Sequence, residues 1–237
     1  ECVFDTANGF EGVWHLNEAT GAVNVDATSN TNDGTPANNP AASTGKISGA
    51  LDFSVHAQAN VSIPFDASID LSTGANPVWT ISAWVNPNAD FDSVNYPLIY
   101  GYGNYDASLG LNAFEAGANG QIETWLNDTA PTIQSTGTVV TTGAWNYVAV
   151  VYDSTDLTEG ADGTVYLYLN GTAVSSSAAV PVTDAGQTSW IGWESAYQDV
   201  FKGLIDEVRV SSAARSADWL AAQYASTNLT FSTCGAE

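Results

Sequence analysis

The chain has 237 residues, and its 26 acidic against 4 basic residues give a formal net charge of -22. Such a charge repels nucleic acid and anionic membranes and attracts cations, and no apolar run is long enough to cross a bilayer. Nucleic-acid binding and membrane insertion are therefore excluded. Eight Trp, 10 Tyr and 8 Phe supply enough apolar area for one large β-sandwich core, and no linker interrupts the strand patterns, so a single domain over residues 1–237 is predicted.

The two cysteines, Cys2 and Cys234, stand at opposite ends of the chain. Because the ends of a domain commonly lie close together, a disulfide between them is predicted. A disulfide favours an oxidising compartment, and hence an extracellular or cell-surface location. The alternative is two buried or free thiols.

The N-terminal part begins with a predicted strand over residues 10–17, followed by a polar stretch over residues 20–42 that is rich in Asn, Asp, Thr and Gly. This stretch is interpreted as a polar loop. Its oxygen-bearing side chains, Asp26 and Asp33 among them, also have the chemistry of ligands for a hard cation. The spacing does not match a helix-loop-helix calcium motif.

Two short strands over residues 50–53 and 60–63 follow, joined by a turn that carries His56. A histidine there has the chemistry of a metal ligand or a catalytic base. The only other histidine is the distant His15, and no positioned nucleophile accompanies either, so a surface or packing role is favoured for both.

Regular strands are predicted over residues 78–85, 145–153 and 164–170, where apolar and polar residues alternate. In the first of these, Trp79 is predicted on one face and Trp84 on the other. Asn170 and Gly171 are typical of a two-residue hairpin turn.

Aromatic and acidic residues occur together in two later segments, residues 96–114 and 190–199. Sugar rings stack their C–H faces on Trp and Tyr, while Asp and Asn hydrogen-bond their hydroxyls. Core or edge packing is the alternative for each aromatic. The predicted ligand-binding residues are Tyr102, Tyr105, Trp193 and Tyr197.

The last predicted strand, residues 201–210, alternates so that Asp206 shares a face with Val208 and Val210. An unpaired buried carboxylate costs several kcal/mol by order of magnitude, so Asp206 is expected to be protonated, tightly hydrogen-bonded or bound to a cation. We favour calcium, with Asp26 and Asp33 as further ligands. A short helix with Ser216 as its N-cap follows.

A resemblance to laminin-G-like, concanavalin-A-like domains covers nearly the whole chain. The motifs that carry it are Gly12-Val-Trp-His-Leu-Asn-Glu18, Gly49-Ala-Leu-Asp-Phe53, Val61-Ser-Ile-Pro64, Trp79-Thr-Ile-Ser-Ala-Trp-Val85, Trp145-Asn-Tyr-Val-Ala-Val-Val-Tyr152, Val165-Tyr-Leu-Tyr-Leu-Asn-Gly171 and Phe201-Lys-Gly-Leu-Ile-Asp-Glu-Val-Arg-Val210. The resemblance implies an all-β fold, a two-sheet antiparallel jelly-roll sandwich with one short C-terminal helix. Sugar binders, adhesion modules and spacers share this scaffold.

A more distant resemblance to pentraxins, which bind ligands through calcium, implies three further metal ligands: Asn104, Asp106 and Glu194. No strand carries the alternating acidic residues of a retaining glycosidase, and no Ser-His-Asp pattern is visible, so the chain is predicted not to be an enzyme. We therefore expect a calcium-supported carbohydrate-binding or adhesion module. The alternative is a structural subunit or spacer of a surface assembly or filament, which self-associates through edge strands.

Overall fold

The computed structural model describes residues 5–72, 77–88, 97–103, 107–112, 120–127, 133–160, 162–193 and 200–228. Within these residues the chain forms two antiparallel sheets and one α-helix, α1, at Ala217–Asn228. Short 3-10 helices lie at Thr6–Asn8 and Ala67–Ile69. The predicted all-β sandwich with one C-terminal helix is confirmed.

The first sheet contains the longest strands, in the order β13-β12-β11-β6-β15-β4-β3, with β1 also paired to β15. Its strands are β1 (Phe10–Trp14), β3 (Ala41–Thr44), β4 (Gly49–Asp52), β6 (Val78–Pro87), β11 (Asn146–Asp153), β12 (Thr164–Leu169), β13 (Thr172–Ala178) and β15 (Gly203–Ser211).

The second sheet has the order β10-β9-β8-β7-β14-β5-β2. Its strands are β2 (Thr35–Ala37), β5 (Asn60–Ile63), β7 (Leu98–Tyr102), β8 (Ala107–Asn112), β9 (Gln121–Thr124), β10 (Ile133–Val139) and β14 (Ser189–Ile191). The edge strand β2 lies within residues 20–42, which were predicted to be a polar loop, and the edge strand β3 begins at the end of that stretch.

The main core fills the space between the two sheets. Along β6, Trp79 and Ile81 face this core, whereas Trp84 belongs to a second apolar cluster on the outer side of the first sheet. Helix α1 covers that outer side: Leu220 is fully buried, and Tyr224 stacks on Trp84 with ring centroids 5.7 Å apart. The predicted faces of this strand are confirmed.

Helix α1 begins directly after Ser216, whose Oγ accepts a hydrogen bond from the Trp219 backbone N–H at 3.2 Å. An N-cap serine satisfies one of the backbone donors that the first turn leaves unpaired. The predicted cap is confirmed. No helix in the described part of the chain has the length and apolar character needed to span a membrane.

The faces predicted for the closing strand are wrong beyond Asp206. Its pairing with β6 is irregular between Asp206 and Arg209, and Glu207 lies there with φ of 55°. This bulge shifts the alternation, so that Ile205 and Val208 both face the core. Asp206 therefore lies opposite Trp84, on the outer side of the sheet.

Candidate ligand-binding face of the second sheet

The outer face of the second sheet carries a half-buried tryptophan among very small neighbours. On β14, Ile191 faces the core, which leaves Trp190 on the opposite side. Trp190 lies in register with Ser62 on β5 and Gly101 on β7, and Gly101 lies in register with Ser108 on β8. Ser62 is partly exposed, whereas Gly101 and Ser108 are buried, so the accessible surface next to the indole of Trp190 lies towards β5.

A second tryptophan packs edge-on against the first. The rings of Trp190 and Trp193 have centroids 6.1 Å apart and an interplanar angle of 85°. Gly192 fixes this geometry, since it has φ of 84° and an added Cβ would lie 2.1 Å from the ring of Phe53. Trp193 is half-buried, and its Nε1 has no hydrogen-bond partner among the described residues. The pair presents two perpendicular π surfaces.

Polar groups lie on two neighbouring strands of the same sheet. Glu123 on β9 is only 1% exposed, and its carboxylate accepts hydrogen bonds from Gln134 Nε2 at 3.0 Å and Trp125 Nε1 at 3.3 Å. Gly110 on β8 lies directly opposite Glu123, and a Cβ there would lie 3.2 Å from the Pro97 carbonyl oxygen. Trp125 and Gln134 are half-buried. The aromatic rings of this face suit stacking of a sugar ring and the Gln134 amide suits hydrogen bonding, whereas the buried Glu123 carboxylate holds Gln134 and Trp125 in place.

Tyr102 does not contribute to this face, and its prediction as a ligand-binding residue is wrong. Its side chain is fully buried in the core, and its hydroxyl donates to Asp70 Oδ1 at 2.7 Å. Burial and the hydrogen bond to Asp70 raise the pKa of Tyr102. The reason is strand alternation: Tyr100 and Tyr102 both point inwards, so the outward position between them is Gly101.

The other predicted residues of these two segments lie outside the described residues. They are Tyr105 and Tyr197 as ligand-binding residues, and Asn104, Asp106 and Glu194 as metal ligands. The predicted disulfide between Cys2 and Cys234 also lies outside them. All of these remain predictions.

Asp26 organises the polar stretch through hydrogen bonds. Its Oδ1 accepts from the backbone N–H groups of Val13 and Thr28, both at 2.9 Å, and its Oδ2 accepts from the Asn32 N–H at 2.9 Å and the Thr28 hydroxyl at 2.8 Å. Asp33 Oδ1 accepts from the Asp26 N–H at 2.9 Å. These contacts tie the stretch to β1.

Asp206 is fully buried, and its Oδ2 accepts from the Ile47 N–H at 2.8 Å, whereas Oδ1 has no partner among the described residues. Burial raises the pKa of Asp206 to about 7. The described residues contain no group of three or more His, Cys, Asp or Glu side chains placed to hold a metal ion. The structure thus brings Asp33 against Asp26 but does not bring these two carboxylates together with Asp206 as one ligand set. Calcium remains a prediction.

Next to Asp206, Glu207 joins His15 to Arg209. Its Oε1 lies 2.6 Å from His15 Nδ1, and its Oε2 lies 2.5 Å from Arg209 Nη2. The hydrogen bond to Glu207 raises the pKa of His15. Burial alone would raise the pKa of Glu207, but the hydrogen bond from His15 and the charge of Arg209 lower it. His15 therefore links the end of β1 to the closing strand through its contact with Glu207.

Sequence reasoning missed Trp190, Trp125, Glu123 and Gln134. A signal was available for Trp190, because Ser189, Trp190 and Ile191 alternate as a strand that turns one aromatic outwards. For Glu123 and Gln134 there was none, since only strand pairing places these residues side by side.

Comparison with known proteins agrees with this architecture. The family model of the concanavalin A-like lectin/glucanases superfamily matches residues 56–221 of the sequence. The chain belongs to this superfamily. The laminin-G-like, concanavalin-A-like resemblance seen in the sequence is therefore confirmed. No match was found among curated protein sequences.

Three solved structures with this jelly-roll fold superpose on the chain. Domain 4 of AbnA, an extracellular arabinanase from Geobacillus stearothermophilus solved with arabinotriose, has a TM-score of 0.64 at 21% identity, over 90% of this chain and 97% of that one. The binding domain of Paraclostridial Mosquitocidal Protein 1 has a TM-score of 0.65 at 13% identity, and the match covers 88% of this chain and 52% of that one. The botulinum neurotoxin serotype D binding domain has a TM-score of 0.67 at 15% identity, and the match covers 94% of this chain and 54% of that one. This superfamily member thus spans about half the length of the two toxin domains.

Proposed function

We propose that this protein is a carbohydrate-binding module that holds its glycan on the outer face of the second sheet. The observation that carries the proposal is the pair Trp190 and Trp193, which are half-buried and perpendicular, with the partly exposed Ser62 of β5 next to Trp190. A sugar ring stacks its C–H face on one indole, and the perpendicular indole limits its orientation. Gln134, hydrogen-bonded to Glu123, lies four strands from Trp190 in the same sheet, about 19 Å at ~4.8 Å per strand, and offers an amide oxygen to a hydroxyl of another residue of an oligosaccharide.

The same face supports a binding role without catalysis. Glycoside hydrolysis generally needs two carboxyl groups that flank the scissile bond. Glu123 is the only acidic residue in the seven strands of this sheet, and it is engaged by Gln134 and Trp125. One buried carboxylate that is already hydrogen-bonded does not supply this pair.

The proposal also includes an extracellular location and support by calcium. The net charge of -22 favours cation binding. The arabinanase domain solved with arabinotriose shares the fold over almost its whole length, and this supports arabino-oligosaccharides as the first ligands to test. Self-association through edge strands remains the alternative, and the exposed edge strand β3 is where it would occur.

The test is a glycan array in calcium and in chelator, followed by calorimetric titration of the best ligand, with arabinotriose as one arm. Trp190→Ala is expected to weaken binding about tenfold or more, which corresponds to ~1.4 kcal/mol. Trp145→Ala is the matched control, because Trp145 is a partly buried tryptophan that packs on the other sheet. Equal binding by both variants would refute the proposed face. A protein that binds no glycan and forms polymers would support the structural alternative.

A further inference from the structure

A groove of about 220 Å³ lies between the polar stretch and the segment that follows β5. It shares no lining residue with the tryptophan face. We call it the Phe65 groove, and its lining residues are Thr31, Asn32, Asp33, Pro64, Phe65 and Asp66.

The groove contains an exposed aromatic ring. Phe65 is 45% exposed, and it is the only aromatic among the large hydrophobic side chains that are exposed in the described ranges. An exposed phenyl face accepts the C–H face of a sugar ring and also attracts a cation placed over it. The ring alone does not choose between the two.

The charge of the groove favours a cation. Asp66 Oδ1 accepts from the Ser68 N–H at 2.8 Å, and the hydrogen bonds from Ser68 lower the pKa of Asp66, which keeps it ionised. Asp33 uses Oδ1 to accept from the Asp26 N–H. None of the chain's 4 basic residues lines the groove.

The two walls of the groove are held together before any ligand arrives. Asn32 is buried, and its backbone N–H donates to Asp26 Oδ2. Its side-chain Nδ2 donates to Ser68 Oγ on the opposite wall at 2.9 Å. A groove fixed in this way loses little conformational entropy when a ligand binds.

We propose that the Phe65 groove binds an amino sugar that carries a free ammonium group. The ammonium group pairs with Asp33 and Asp66, and the ring of the sugar covers Phe65. The volume is below the roughly 300 Å³ of a drug-sized pocket, so the groove holds one sugar residue and not an extended chain. An uronic acid or a sulfated sugar is repelled by the same carboxylates. This inference rests on the proposed function, because it takes the ligand to be a glycan.

The test compares two tetrasaccharides, one of glucosamine with free amines and one of N-acetylglucosamine, by calorimetric titration at about pH 6, where an amine is protonated. The glucosamine tetramer is expected to bind about tenfold more tightly in dilute buffer, and to lose that advantage in about 0.5 M salt because exposed charges are screened. Phe65→Ala and Asp66→Asn should each remove most of the difference. Asn preserves the cap on the 3-10 helix, so Asp66→Asn keeps the local fold. Asp184→Asn removes one exposed loop carboxylate and is the charge control.

Equal affinity for the two tetramers would overturn the inference, as would an unchanged difference in Phe65→Ala. A lysine peptide that binds as tightly as the glucosamine tetramer would overturn the assignment to a sugar. The two proposals fail separately. If Trp190→Ala abolishes binding of neutral glycans and free amines do not increase the affinity, only the proposal for the Phe65 groove is wrong. If the glucosamine tetramer binds through Phe65 and no neutral glycan binds at all, only the tryptophan face is wrong.

Discussion

Replacing Asp206 by Asn is expected to stabilise the protein at pH 8 and to destabilise it by about 1–2 kcal/mol near pH 4, where the parent carboxyl is neutral and the unpaired NH₂ group is the remaining difference. Asp206 is fully buried, and burial raises its pKa from 3.8 to about 7. Because the folded-state pKa is the higher one, the unfolded chain releases the proton first as pH rises. The stability that the neutral carboxyl contributes is thus complete below about pH 4 and is lost as pH rises through 7.

The magnitude follows from the same two pKa values. The difference between 3.8 and about 7 corresponds to roughly 4 kcal/mol in the free energy of unfolding. The new amide accepts from the Ile47 N–H as before, but its NH₂ group lacks an acceptor where Oδ1 now lies unpaired, which costs about 1–2 kcal/mol. At pH 8 the free energy of unfolding of the variant should therefore exceed that of the parent by about 2–3 kcal/mol, and its Tm should be higher by roughly 4–12 °C.

The assay is thermal unfolding of Asp206→Asn and the parent from pH 4 to pH 8 in chelator, followed by tryptophan fluorescence, with Asp184→Asn as the surface control. A Tm at pH 8 that is lower than that of the parent in chelator would refute the reasoning from burial. The calcium hypothesis predicts the opposite sign. If calcium stabilises only the parent, and Asp206→Asn is the less stable protein in calcium, Asp206 is a metal ligand.

Asp26→Ala should lower the free energy of unfolding by more than about 3 kcal/mol, because it leaves the buried N–H groups of Val13 and Asn32 unpaired. Chemical denaturation measures the loss, and a change below about 1 kcal/mol would contradict the prediction. Tyr102→Phe should cost about 1–2 kcal/mol through the lost hydrogen bond to Asp70 and leave glycan affinity unchanged; weaker binding at unchanged stability would return Tyr102 to the ligand site.

The fold was predictable because alternation is a local property that survives in regular strands. On β6 it placed Trp79 and Trp84 correctly, since nothing interrupts the period of two. On β15 the positive φ of Glu207 interrupts it, and no residue type in that strand signals the bulge. Ligand-site prediction failed at Tyr102 for a related reason: in a strand where tyrosine and glycine alternate, the glycine faces outwards and the aromatic residues fill the core.

Asp26 shows the other limit of sequence reasoning. Its spacing to Asp33 is compatible with a cation site. In the structure, however, its carboxylate oxygens accept hydrogen bonds from backbone N–H groups of β1 and of its own loop. Oxygen ligands for calcium and acceptors for backbone N–H groups are the same atoms, so the residue type does not distinguish the two roles.

Pairing between the first strand and the closing one has a consequence for how the protein is made. Phe10 of β1 lies opposite Ser211 of β15, about 200 residues later, and β15 also lies between β6 and β4. During synthesis, β1 waits without its partner strand in the sheet until residues 203–211 have emerged. Such distant contacts slow folding, because the loop-closure entropy is lost before the contacts form. Among the strands in the described ranges, β15 comes last in chain order and completes the first sheet, so a nascent chain cut short before residue 203 lacks the strand that pairs with β1, β4 and β6.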